Sequence, residues 1–171
     1  MTKVDSRDRL LEVLAAGFPE KFFVTEFVDT RGENKFFRKI RAAIVQDEIM
    51  IVRVDCDTNW NVHGRKSDER VAFYLENADL LDQEKLICTD PEAGLGRSAM
   101  QSLRAIRDRI SLDVFGVDFD VDPDGLLVDY EANATMNLLS TARAEVPYPN
   151  DANECLKLAF RRYLTSLADR H

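Results

Sequence analysis

The sequence predicts an α+β fold, an antiparallel sheet flanked by helices, and three observations carry that expectation. Apolar and polar residues alternate with period two on both sides of a Pro123-Asp124-Gly125 turn, the pattern of a β-hairpin. Lys21–Val28, Lys35–Val45 and Ile49–Val54 have strand composition and are separated by the turn sequences TRGEN and QDE, which predicts a three-stranded antiparallel meander. Elsewhere apolar residues recur at helical spacing, and runs of strands set apart from runs of helices define the α+β class.

In chain order, Asp5 or Ser6 can cap a first helix carrying Leu10, Leu11, Val13 and Leu14, with Gly17 as its stop. The meander follows, then a loop over Asp57–Lys66. Asp68–Asn77 and Ala78–Ile87 read as two helices, and Gly94–Ser98 as a linker. Ser98–Ser111 is an amphipathic helix with Met100, Leu103, Ile106 and Ile110 on one face. After the hairpin, Pro147 and Pro149 predict a loop. Asp151 or Asn153 then opens a last helix with Leu156, Ala159, Phe160, Tyr163, Leu164 and Leu167 turned inward.

A length of 171 residues fits one domain with a sizeable core, and 45% hydrophobic with 32% charged residues fits a folded, soluble chain. The net charge of −8 argues against nucleic acid as a partner, because phosphate neutralisation needs clustered Lys and Arg. One local cationic pocket would still suit a nucleotide, and Lys35–Arg41 (KFFRKIR) reads equally as such a patch or as a solvated strand face. Cys56, Cys88 and Cys155 are widely spaced with no CxxC, and only His63 and His171 offer imidazole, so a zinc site is not expected and the thiols read as reduced. No signal-peptide core and no membrane-length apolar run is visible, which predicts a cytoplasmic protein without membrane contact.

The stretch Gly116–Asn137 concentrates the chemistry. Asp118, Glu131 and Asn133 are hard oxygen donors that could converge at the base of the hairpin, a set suited to Mg²⁺ or Ca²⁺. The two carboxylates share a face only if the hairpin has a four-residue Asp122–Gly125 loop, or if a bulge compensates a three-residue loop. A rival pattern overlaps: Asp120, Asp122, Asp124, Gly125 and Glu131 match an EF-hand calcium loop. Pro123 at its fourth position, Val128 at its ninth and strand-like flanks speak against it. Asp120, Asp122 and Asp124, at and beside the Pro-Asp-Gly turn, are expected to be turn and solvent residues.

Several blocks in order carry a resemblance: Val24–Asp29 (VTEFVD), Arg38–Arg41 (RKIR), Asn59–His63 (NWNVH), Leu112–Phe119 (LDVFGVDF) and Glu131–Met136 (EANATM). From about Phe22 onward the chain resembles the C-terminal lobe of ATP-grasp carboxylate–amine ligases of the glutamate-ligase type, most nearly those in bacterial tetratricopeptide-repeat proteins. The resemblance implies ATP and Mg²⁺ as cofactors, an acyl-phosphate mechanism, and small-molecule or peptide carboxylate and amine substrates. It implies Asp118, Glu131 and Asn133 as metal ligands and Arg41 as a catalytic residue facing the phosphates. It also implies cofactor contacts from Glu26, Phe27 and Val28 on a strand end beside the adenine, and from Arg38 and Lys39. Where related ligases have an acidic ribose contact this chain has Lys39, with Glu33 or Asp29 as replacements. Trp60 and His63 stand in a loop that could contact substrate. The glycine-rich, Lys-bearing first lobe has no counterpart here, so a separate N-terminal lobe or a homodimer would have to complete the cleft, and the isolated chain is not expected to turn over ATP. A non-catalytic subunit that keeps the fold is the alternative.

Overall fold

A computed structural model describes residues 2–17, 24–63, 67–139 and 148–169. These residues form six helices and a four-stranded antiparallel sheet, a mixed arrangement of the α+β kind. The elements are α1 (Arg7–Ala15), β1 (Phe37–Val45), β2 (Glu48–Asp57), α2 (Ser67–Glu76), α3 (Ala78–Thr89), α4 (Pro91–Leu95), α5 (Arg97–Arg109), β3 (Val114–Val121), β4 (Leu127–Asn133) and α6 (Tyr148–Ala168). The strand order is β2-β1-β3-β4. No described helix is long and apolar enough to cross a membrane.

The predicted meander is corrected at its first strand. Residues 24–28 form no strand, and Val24 through Asp29 are exposed; Lys21–Phe23 lie outside the described residues. The physical reason is edge occupancy. β1 spends one edge on β2 and the other on β3, so the segment before it has no free ladder on that strand. The β1–β2 hairpin turns in two residues, with Gln46 in the left-handed region (φ 52°), as such tight turns require of their first residue.

One face of the sheet is the main core. Ile40, Ala42 and Ile44 of β1, Ile51, Val54 and Cys56 of β2, and Phe115, Val117, Phe119 and Val121 of β3 pack there against α3, α4 and α5. A register shift between Arg41 and Ala42 lets Ile51 and Val54 both face this core despite their odd spacing. The expected linker at Gly94–Ser98 is instead the end of α4 and the start of α5. Pro91 opens α4, the Asp90 carboxylate accepts from Ala93 N, and Gly96 (φ 85°) breaks it from α5.

The opposite face is divided. Near the β1–β2 turn, Ala43, Val45 and Val52 bury Ala152, Leu156 and Ala159 of α6. That helix begins earlier than predicted, at Tyr148, and holds Pro149 in its first turn, where a missing N–H costs nothing. Leu164, expected inward, is exposed, while Pro147 lies outside the described residues. The other half of this face, toward Phe37 and Asp57, is charged. Helix α1 is capped by Ser6, whose hydroxyl accepts from Arg9 N, and buries none of its residues.

Candidate functional site

The site starts from a local irregularity in the hairpin. Asp122 pairs with Leu126 and closes the three-residue loop Pro123–Gly125, with the Asp122 carboxylate accepting from Asp124 N and Leu126 N and Gly125 at φ 80°. Continued without interruption, that register would put Glu131 on the main-core face, away from Asp118. The ladder instead shifts between Asp118 and Phe119: Phe119 faces Asp129, but Asp118 faces Glu131, and Tyr130 is the extra residue. This is the compensating bulge that the shared site required. It also means that Leu127 and Asp129 do not share a face with Glu131 and Asn133, as strict alternation along the strand would require.

The bulge completes a charged row across the sheet. Arg53 on β2 is opposite Arg41 on β1, Arg41 is opposite Asp118 on β3, and Asp118 is opposite Glu131 on β4. Lys39 and its partner Asp55 stand in the adjoining row on the same face. Arg41 grips Asp118 with both prongs, Nε to Oδ1 at 2.7 Å and Nη2 to Oδ2 at 2.8 Å. Asp118 is only 5% exposed, and its hydrogen bonds lift the Arg41 guanidinium above its ordinary range. Arg53 Nε lies 2.7 Å from Asp55 Oδ2, an ion contact poorly aligned for a hydrogen bond. It offsets the repulsion of Arg53 and Arg41 side by side.

Glu131 is exposed and its Oε1 accepts from Asn133 Nδ2 at 2.8 Å. The Asn133 oxygen is turned to Thr135, accepting from its N at 2.8 Å and its hydroxyl at 2.9 Å. Residues 134–139 then fold back over Gly116. A Cβ there would lie 2.5 Å from Met136 Sδ and 2.8 Å from Leu138 Cδ2. Arg41 Nη1 donates to Asn137 O at 2.9 Å, tying this strap to the row.

The structure therefore brings together Arg41, Asp118, Glu131 and Asn133, with Lys39 beside them. It does not bring Arg38 to them. Arg38 Nε donates to Asp120 Oδ1 at 3.1 Å and its Nη2 to Val121 O at 3.3 Å. Asp120 is not the solvent residue expected: it is fully buried, and it also accepts from the backbone N of Arg38 and of Val121. Burial outweighs the attraction of Arg38 and raises the Asp120 carboxyl above its ordinary value. Thr30, also buried, has its hydroxyl beside Asp120 and Tyr130 without a hydrogen bond of normal geometry.

Because the native state binds the Asp120 proton more tightly than the unfolded chain, this residue favours folding most at acid pH and less as pH rises from the ordinary value through the raised one. The melting temperature of wild type relative to Asp120→Asn is expected to improve as pH falls from 7 toward 4. An unchanged difference would show that Asp120 keeps its ordinary proton affinity.

Glu26, Phe27 and Val28 are exposed and not on a strand, so the expected strand end is replaced by irregular chain. Phe27 nonetheless meets Phe37 and Trp60 edge-on, at centroid distances of 6.2 and 6.1 Å, and carries Lys3 Nζ over its ring. Asp29 is committed to Arg31, whose hydrogen bonds hold it down at about 2. Glu33 and His63 are exposed. The EF-hand pattern is corrected: strands flank the loop, and its first position, Asp120, is sealed against Arg38. Among the described residues no three His, Cys, Asp or Glu converge to hold a metal. Sequence reasoning missed Arg53 and Asp55, although their i, i+2 spacing on a strand two residues beyond β1 places them on one face.

Comparisons with protein-family models, with curated proteins and with solved structures return no match for this chain.

Proposed function

We propose that this chain is an ATP-grasp-type carboxylate–amine ligase lobe whose hairpin row holds Mg²⁺ and the phosphates of ATP. One observation carries the reading: a bulge at Tyr130 sets Asp118 directly opposite Glu131, with Arg41 next in the same row. Antiparallel strands with uninterrupted alternation from this loop would separate the carboxylates, so the shared face is a specific feature of this hairpin. By donor type the set suits a small hard cation: two carboxylates and a neutral amide oxygen. It suits one only once Asp118 has exchanged Arg41, and the Asn133 oxygen has exchanged Thr135, for the metal, because these oxygens are engaged.

When bound, Mg²⁺ would draw charge from the phosphate oxygens. Asp118 and Glu131 supply the negative charge that holds such a cation. Asn133 orients Glu131 through its amide N–H, and Thr135 orients Asn133. Arg41 offers a planar fork matched to phosphate oxygens. Lys39, on the same face, adds a second positive charge. Phe27, Phe37 and Trp60 form an apolar cluster for the base in place of the expected strand end. The substrates under this reading are a carboxylate and an amine, joined through an acyl phosphate.

Calorimetry with Mg²⁺–ATP tests the assignment. Asp118→Ala and Asn133→Ala are expected to weaken binding by about tenfold or more, as loss of a metal ligand or its orienting partner does. Asp124→Ala, in the loop, is expected to leave it unchanged. Binding that survives Asp118→Ala, or tight Ca²⁺ binding lost in Asp124→Ala, would overturn the reading.

A further inference from the structure

We propose that Arg41 is a built-in counter-cation that keeps the metal site shut until a phosphate group draws its guanidinium off Asp118. This rests on the proposed nucleotide reading and concerns how the same site is controlled. Three donors of Arg41 are in use, two on the Asp118 carboxylate and one on Asn137 O, at 2.7, 2.8 and 2.9 Å. Asp118 is 5% exposed, and the bidentate fork takes both of its oxygens. The Asn133 oxygen is held by Thr135, and one oxygen of Glu131 by Asn133.

A divalent cation arriving alone meets two obstacles. It has to displace a bidentate, charge-assisted pair, and it has to approach a guanidinium of its own sign. Displacing Arg41 without a new acceptor leaves a cation stripped of its partner beside Arg53, its cross-strand neighbour. A polyphosphate removes both obstacles, since it offers Arg41 a bidentate anion while the metal takes Asp118. Metal and phosphate therefore assist one another, and the coupling is reciprocal. The same exchange releases Asn137 O, so the strap over Gly116 loosens as the site fills.

The test uses the whole chain, with Mg²⁺ alone and Mg²⁺–ATP as probes. Mg²⁺ alone is expected to bind Arg41→Met about tenfold or more tightly than wild type, because the variant leaves Asp118 without its fork. In wild type, the Arg41 Nε–H NMR signal is expected to hold its position with Mg²⁺ alone and to move with Mg²⁺–ATP. If Mg²⁺ alone binds wild type as tightly as Arg41→Met, the shut state is wrong while the metal site stands. If neither protein binds Mg²⁺ or Mg²⁺–ATP, the site reading fails and takes this proposal with it. Should Arg41→Met not fold, the wild-type signal decides: movement with Mg²⁺ alone, or none with either probe, overturns the proposal.

Discussion

Arg41→Ala is expected to lower the unfolding free energy by roughly 3 kcal/mol, toward the low end for breaking a buried pair because the guanidinium is partly exposed. The loss arises mainly from what is left behind. Asp118, nearly out of solvent, would face Glu131 across the ladder with no counter-charge on its other side. Replacing both partners together by apolar groups, Arg41→Met with Asp118→Leu, is expected to restore stability to within about 1 kcal/mol of wild type, since a paired buried charge adds little over good packing. Urea denaturation of the two single variants and the double variant closes the cycle. A fully additive double variant would show that the Arg41–Asp118 contact has no energetic coupling.

Gly94→Ala is expected to cost roughly 2 kcal/mol, although Ala is the better helix former by about 1 kcal/mol. Gly94 sits in α4 where it crosses α3. A Cβ there would come within 2.7 Å of Ile87 Cα and 2.9 Å of Ile87 N. Those are backbone atoms, so no rotamer change relieves the clash and the two helices have to separate. Ile87 and Leu95 are both in the main core, and separation would expose them. For a chain of this size the melting temperature should fall by about 4–8 °C. Gly116→Ala is the informative contrast. Its shortest contact is at 2.5 Å, but to the end of the flexible Met136 side chain, so a smaller loss is expected. A Gly94→Ala protein that melts at or above wild type would show that α4 is not pinned against α3.

Much of the architecture was legible because local chemistry and tertiary packing agree. Ser6 caps α1, and the Met100 and Leu103 stripe faces the core as its spacing requires. The Pro-Asp-Gly hairpin was equally readable, and so was the condition it had to meet for Asp118 and Glu131 to share a face. Which of the two permitted solutions the chain uses was not readable. A three-residue loop with a bulge and a four-residue loop without one have the same local signals, and only the ladder against β1 and β3 selects between them.

By itself the sequence determined most of the element types, the acidic hairpin and the short list of oxygen donors and cations from which a site could be built. Tertiary structure decided which of them meet. It removed the strand expected before β1, because pairing with β3 consumes the edge that strand needed. It turned Asp120 from a solvent carboxylate into a buried partner of Arg38, because β3 is a central strand and its neighbours close over that position. It placed Arg41 on Asp118, 77 residues away in sequence, through the pairing of β1 with β3. A carboxylate is written in the chain, but its partner is set by long-range strand register, which period-two alternation leaves undetermined by one residue, and one residue changes the face.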